Sequence, residues 1–181
     1  MLEEPRILFP EQKINNWRIT QEIYKKGTKV DSDGLGSLVV AEEDIVFNAM
    51  FEDGSCWDSN APFCLHSRKK LVNHFSGSVF IIGLGLFSSY HFLDKCKEIY
   101  VIEKSKEVID MIWPYFEHDK RVKLIHGDIF EKAERGRRFD HIFCDILGFY
   151  PVVVTGEKRD ILNAMLGPIT SDLVYWEESN A

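Results

Sequence analysis

The feature that most constrains the fold is a change of pattern at residue 61. From there onward, short apolar segments of strand length alternate with segments whose apolar residues recur at helical spacing. Strands that are apolar at nearly every position are buried on both faces, which favours a parallel sheet with helices on each side. The segments expected to form strands are residues 79–82, 98–102, 122–126, 141–144 and 173–176.

Helical segments are expected between these strands, and right-handed crossovers then produce a doubly wound sheet. The spacing predicts helices over residues 65–75 and 86–94, a helix that Ser105 caps, and a helix around residues 161–166. Gly167 and Pro168 form a stop signal for the last of these helices.

The first 60 residues have a different character. Strand-like segments at 17–24, 38–41 and 45–51 are separated by turn-forming sequences, DSDGLG at 31–36 and EDGS at 52–55. This pattern indicates an antiparallel meander, which is too small to be stable alone and is expected to pack on the second part. The predicted division is an extension over residues 1–60 and a sheet domain over 61–181.

Charge and composition exclude several functions. The chain has 22 basic and 29 acidic residues, a net charge of −7, which disfavours binding to nucleic acid. The basic runs at 68–70 and 135–138 are interpreted as solvated helix ends or loops. Without an apolar segment of about 18 residues or a secretory signal, a cytoplasmic protein is expected. The scattered histidines and cysteines show no metal-ligand spacing, so no metal site is expected.

The carboxyl ends of the predicted strands carry the residues that suggest a ligand site. The sequence Gly83–Leu84–Gly85 follows the first strand, and Glu103, Asp128 and Asp145 follow the next three. These ends meet at one edge of a parallel sheet, where ligands bind. A glycine turn allows close approach to the backbone, and an acid after the second strand can accept hydrogen bonds from a ribose diol. The pattern therefore predicts a nucleoside site.

Two nucleoside classes fit this spacing. The spacing fits the dinucleotide-binding fingerprint G-x-G-x-x-G, with Gly83 and Gly85 as the first two glycines and Ser88 in place of the third. However, a dianionic pyrophosphate would face Asp128 and Asp145, with no Lys or Arg in residues 83–94, and like charges in a cleft repel by an amount on the order of kcal/mol. S-adenosylmethionine is cationic at its sulfonium and ammonium groups, so it suits an acidic rim better.

Four segments in order, VFIIGLG (79–85), IYVIEK (99–104), KLIHGD (123–128) and FDHIFCDI (139–146), resemble the class I S-adenosylmethionine-dependent methyltransferases. Within them the chain is most similar to the spermidine-synthase-like branch, which also has an N-terminal β-meander and a histidine on the helix before the first strand, here His66. The resemblance implies an α/β, doubly wound, mostly parallel Rossmann-like sheet of about five strands. The usual C-terminal hairpin is expected to be missing.

The resemblance also implies roles for individual residues. Gly83 and Gly85 would approach the methionine part of the cofactor, Glu103 would bind the ribose hydroxyls, and Asp128 would lie by the adenine. Asp145 would face both the donor and the acceptor, and we expect it to position or deprotonate the acceptor. The predicted set is completed by Leu84, Lys104 and Ile129 beside these residues, Asp58 near the amino-acid part of the cofactor, and Tyr150 as a wall of the acceptor pocket.

Departures from the family limit the prediction of the acceptor. Aminopropyl-transferring enzymes have a second acid where this chain has Gly148, and the Asn/Asp-Pro-Pro-aromatic motif of amino-methylating nucleic-acid enzymes is replaced by residues 145–148. The expected function is methyl transfer to a small molecule or a protein side chain. The alternatives are a non-catalytic nucleoside-binding or interaction domain, an aminopropyltransferase-like enzyme and an NAD-dependent oxidoreductase. The apolar edge at residues 173–176 predicts a homodimer.

Overall fold

A computed structural model describes residues 2–32, 36–132, 137–146 and 156–175, with only the backbone for 156–158. Its N-terminal strands are β1 (Gln12–Ile14), β2 (Trp17–Tyr24), β3 (Lys29–Asp31), β4 (Leu38–Val40), β5 (Ile45–Glu52) and β6 (Ser55–Ser59). An antiparallel sheet has the order β1-β2-β5-β6, while β3 and β4 pair separately. The predicted meander is therefore wrong in one respect, because β4 does not lie beside β5. β2 and β5 match residue for residue over eight positions, whereas all three residues of β4 are exposed.

The second part contains the predicted parallel sheet. Its strands are β7 (Gly77–Ile82), β8 (Cys96–Glu103), β9 (Val122–His126), β10 (His141–Cys144) and β11 (Leu173–Tyr175). Every pairing is parallel, and the order is β9-β8-β7-β10-β11. The prediction of a doubly wound sheet is confirmed. The chain reverses its direction of winding between β7 and β10, which is the position where such sheets bind ligands.

The helices are α1 (Pro62–Val72), α2 (Lys106–Ile112) and α3 (Gly156–Leu166). Ser105 caps α2 as predicted, because its Oγ accepts a hydrogen bond from the Val108 amide at 3.2 Å. The helix predicted over residues 86–94 is wrong: only a short 3-10 helix, Ser88–Phe92, is present. Phe87 before it has a left-handed backbone with φ of 51°, which interrupts α-helical geometry.

Alternate residues of the parallel strands face two cores. On one face, Val79 and Ile81 pack in the same cluster as Ile19 and Met50 of the N-terminal sheet. On the other face, Phe80 and Ile82 pack with buried leucines of α3. The N-terminal strands therefore pack on the parallel sheet, as expected. None of the described helices has the length and apolar character that crossing a bilayer requires.

Candidate functional site

A cleft of about 720 Å³ lies at the carboxyl edge of the parallel sheet. One wall comes from the N-terminal sheet and is formed by Asn16, Trp17, Met50, Glu52 and Trp57. Six of the predicted site residues line the cleft. Asp58 follows Trp57 in β6, and the other five form the facing wall: Gly83, Gly85, Glu103, Lys104 and Asp145. The structure therefore brings the glycine turn and these acids together.

A smaller cavity of about 170 Å³ adjoins the cleft at the ends of β7 and β8. Both cavities are bordered by Gly83, Glu103 and Lys104, and the smaller one also contains the predicted residues Asp128 and Ile129. Its remaining lining is largely apolar and comes from Ile82, Ile102, Phe130 and Ile146. An apolar slot with a carboxylate at its side has the chemistry of a site for a planar base. Tyr150, the other predicted catalytic residue, lies outside the described residues.

The glycine turn is shaped by contacts within the chain. Gly83 and Gly85 have φ values of 96° and 49°. A Cβ at position 83 would lie 2.5 Å from the Asp145 carbonyl oxygen, and one at position 85 would clash with the Asp58 carboxylate. From the sequence, a ligand that approaches the backbone is the expected reason for these glycines. In the structure, the Asp145 carbonyl group and the Asp58 carboxylate lie so close to these two positions that only glycine fits.

The amides of the turn are occupied by carboxylates. The Leu84 amide donates to Glu103 Oε2 at 2.9 Å, and the Leu86 amide donates to Asp58 Oδ2 at 2.6 Å. In a dinucleotide-binding fold such amides, together with the start of an α-helix, bind the pyrophosphate. Here the amides are engaged and a 3-10 helix follows. The geometry therefore disfavours the dinucleotide alternative.

Glu103 is held rigidly at the end of β8. Its second carboxylate oxygen, Oε1, accepts a hydrogen bond from the Ser105 amide at 2.7 Å. Each carboxylate oxygen has a further lone pair beyond the one that these amides use. Because Glu103 borders both cavities, it is placed to accept hydrogen bonds from two neighbouring hydroxyl groups of a ligand.

Arg68 forms a buried ion network with two acids of the cleft. Its Nη2 lies 2.6 Å from Asp58 Oδ1, and its Nε lies 3.0 Å from Asp145 Oδ2. Nη2 also donates to Asp145 Oδ1 at 3.2 Å, so the pairing with Asp145 is bidentate. Only 2% of the Arg68 side chain is exposed.

Burial and charge act in opposite directions within this network. Burial raises the pKa of Asp145, and the charge of Asp58 raises it further, while Arg68 opposes both effects. Burial alone would lower the pKa of Arg68, but the two carboxylates more than compensate and raise it. The guanidinium therefore stays charged, and both oxygens of Asp145 are hydrogen-bonded to it.

The interpretation of residues 68–70 as a solvated run is wrong for Arg68. Lys70 is exposed, but Arg68 lies on the buried face of α1 together with Leu65 and Val72. These three residues follow the i, i+3, i+7 spacing of one helix face, which is a signal that sequence reasoning missed.

The aromatic wall of the cleft was also not predicted. Trp17 and Trp57 are brought together only by the pairing of β2, β5 and β6, and their ring centroids lie 6.2 Å apart.

Asp128 is paired as well. Lys104 Nζ lies 2.9 Å from Asp128 Oδ2, and the Phe130 amide donates to Oδ1 at 3.0 Å. The hydrogen bond to Asp128 raises the pKa of Lys104.

Acidic residues outnumber basic ones around the larger cleft, which is lined by five acids and two lysines. The cleft thus favours a ligand that carries positive charge.

Comparisons with known proteins support the fold. No protein-family model and no curated protein matches the chain. Among solved structures, it is similar to spermidine synthase from Thermotoga maritima, with 15% identity and a TM-score of 0.51 over 87% of this chain and 53% of that one. It also matches an S-adenosylmethionine-dependent methyltransferase from Clostridium acetobutylicum ATCC 824, with 14% identity and a TM-score of 0.48 over 61% of this chain and 49% of that one.

These likenesses are too distant to carry a function across, and the chain spans about half the length of the proteins it matches. The likeness to spermidine synthase supports the architecture alone: a Rossmann-like parallel sheet preceded by an antiparallel sheet of N-terminal strands.

Proposed function

We propose that the chain binds S-adenosylmethionine at the carboxyl edge of its parallel sheet and transfers the methyl group to a small molecule or a protein side chain. The observation that carries this proposal is the charge of the site. Acids outnumber lysines around the cleft, and the amides of the glycine turn are already bound by Glu103 and Asp58. Such a site favours a cationic adenosine derivative over a phosphate-bearing nucleotide.

The two joined cavities suggest which residues hold each part of the cofactor. The apolar slot beside Asp128 and Ile129 suits the adenine, and Glu103 at the junction suits the ribose hydroxyls. Asp58 and Gly85 border the cleft where the amino-acid part would lie. When bound, S-adenosylmethionine would supply a methyl group on a sulfonium: a lone pair of the acceptor would form a bond to the methyl carbon as the S–CH3 bond breaks, and S-adenosylhomocysteine would be the leaving group.

The protein's own task is then to orient the acceptor and exclude water. Trp17, Met50 and Trp57 supply an apolar wall opposite the parallel sheet. Asp145 borders the cleft and is held in a single orientation by Arg68. We propose that Asp145 accepts a hydrogen bond from the acceptor, which fits an amine or a hydroxyl group.

A second function, nucleoside binding without transfer, is favoured by the same ion pair. Both oxygens of Asp145 already accept hydrogen bonds from Arg68, and this pairing weakens the carboxylate as a base. In this alternative the chain binds the cofactor or its product and acts through an interaction instead of a reaction.

Calorimetric titration tests the binding proposal. S-adenosylhomocysteine and S-adenosylmethionine are expected to bind at least tenfold more tightly than oxidised NAD, and decarboxylated S-adenosylmethionine tests the aminopropyltransferase alternative. Replacement Glu103→Gln is expected to weaken binding by about 5- to 150-fold, since a buried hydrogen-bonding group contributes about 1–3 kcal/mol. The exposed Glu117→Gln variant is the matched control. Tighter binding of NAD, or unchanged affinity in Glu103→Gln, would contradict the proposal.

Transfer is tested separately with S-adenosylmethionine that carries a tritiated methyl group, using a panel of small amines and a protein extract. The expected result is labelled acceptor with wild-type protein and at least tenfold less label with Asp145→Asn. Binding without label in any acceptor would favour the second function.

A further inference from the structure

A second cluster of chemically active side chains lies at the opposite edge of the parallel sheet. His141 is the first residue of β10, Asp172 directly precedes β11, and His74 follows α1 by two residues. Ligand atoms of these three side chains all lie within 4.8 Å of one another. We propose that His74, His141 and Asp172 bind a divalent transition-metal ion, with Zn²⁺ as the ion that fits best. This inference is independent of the proposed methyl transfer.

The sheet itself places two of the three ligands. β10 and β11 pair in parallel with Ile142 opposite Leu173, and the Ile142 amide donates to the Asp172 carbonyl oxygen at 2.8 Å. This register puts His141 and Asp172 side by side on neighbouring strands. The positions of their backbones are therefore set by sheet hydrogen bonds and do not depend on a bound ion.

The rings are also oriented. The His141 ring stacks on Phe75, with centroids 4.4 Å apart and planes 11° from parallel. His141 Nδ1 lies 2.5 Å from Asp172 Oδ2, and His74 Nε2 lies 3.2 Å from the same oxygen. Two imidazole nitrogens thus converge on a single carboxylate oxygen. A metal ion placed between these atoms, in place of the direct contacts, would be bound by all three groups.

The donor set selects the type of ion. Two imidazoles and one carboxylate suit Zn²⁺ and similar transition metals, whereas Mg²⁺ and Ca²⁺ prefer sites made of oxygen alone. Three protein ligands leave a fourth position for water, and this position is open to solvent because 52% of the His74 side chain and 34% of the Asp172 side chain are exposed. The neighbouring Asp140 is engaged elsewhere, since its Oδ2 accepts hydrogen bonds from the Ser78 amide and hydroxyl.

Binding requires only a small adjustment. Ligands of tetrahedral zinc at about 2.0–2.2 Å lie roughly 3.3 Å from one another. The His74–Asp172 separation already matches this value, the His141–Asp172 pair must open by less than about 1 Å, and the two histidine nitrogens, which lie within 4.8 Å of each other, must close by at most about 1.5 Å. An ion bound here would connect the end of α1 to β10 and β11 and would stabilise the folded state by mass action.

The test uses the full chain, freed of metal with a chelator and then titrated with Zn²⁺ by calorimetry. One ion per chain is expected, together with a rise in melting temperature that Mg²⁺ does not produce. Co²⁺ should give a visible absorption band with the intensity of a tetrahedral site. His74→Asn and Asp172→Asn are expected to weaken zinc binding at least tenfold, whereas His118→Asn, which changes an exposed histidine outside the cluster, should leave it unchanged.

His74 is more than half exposed, so the His74→Asn variant is expected to fold. It therefore tests the proposal even if the Asp172→Asn variant does not fold. Affinity for S-adenosylhomocysteine should be the same in His74→Asn and in the wild type, which separates this proposal from the proposed function. Failure of Zn²⁺ to bind, or equal zinc affinity in His74→Asn and the wild type, would overturn the assignment.

Discussion

Replacing Arg68 by methionine is expected to lower the free energy of unfolding by about 3–5 kcal/mol at pH 8, because it leaves buried carboxylates without their partner. The side chains of Asp58 and Asp145 are only 7% and 9% exposed. Methionine keeps most of the apolar stem but removes three hydrogen bonds to these carboxylates and one to the Ser59 carbonyl oxygen. For a chain of this size the loss corresponds to about 6–20 °C in Tm.

The loss should depend on pH in a defined direction. Without the guanidinium, burial and the charge of Asp58 act unopposed on Asp145 and raise its pKa in the folded state further above the unfolded value of about 3.9. A carboxyl group with a raised folded-state pKa favours folding at low pH, and this contribution is lost as the pH rises through the folded-state pKa. The deficit of Arg68→Met is therefore expected to be smaller at pH 5 than at pH 8.

Urea unfolding followed by circular dichroism at both pH values measures this deficit. Lys70→Met, which changes an exposed lysine of the same helix, is the control and should stay within about 0.5 kcal/mol of the wild type. The double variant Arg68→Met/Asp145→Asn should recover part of the loss, because it removes one of the unpaired charges. A loss below about 1 kcal/mol in Arg68→Met, or a loss that is equal at the two pH values, would refute the reasoning.

Two further predictions concern stability. In urea unfolding, Gly85→Ala is expected to lower the free energy of unfolding by about 1–3 kcal/mol more than Gly54→Ala does. Both glycines have positive φ, but only a Cβ at position 85 would meet the Asp58 carboxylate. Equal losses in the two variants would contradict the crowding at position 85. Hydrogen bonds from Arg121 lower the pKa of Asp119 to about 2, so this carboxylate stabilises the fold above pH 4 and the contribution disappears as the pH falls towards 2. Asp119→Asn should therefore lower stability by about 1 kcal/mol at pH 7, because its partner Arg121 is 33% exposed and solvent screens the pair, and the difference from the wild type should shrink below pH 4.

Much of the site was predictable because it depends on strand ends. Gly83, Glu103 and Asp145 each follow an apolar segment, and strands that run in parallel bring their carboxyl ends to one edge. Other features were not predictable. Arg68 is 77 residues from Asp145 in the chain, and a basic run gives no indication of which of its members turns inward unless the helix face is considered.

The sequence by itself determined the class of architecture, since apolar strands alternating with helical segments can be buried only as a parallel sheet covered on both faces. It also determined which residues would lie at the carboxyl edge. Only the tertiary structure decided what those residues touch. The occupied amides of the glycine turn, the ion network of Arg68 and the grouping of His74, His141 and Asp172 arise from registers and packing between distant segments. Local patterns carry no information about such contacts, because each contact joins two segments that are far apart in the sequence and meet only when the whole chain folds.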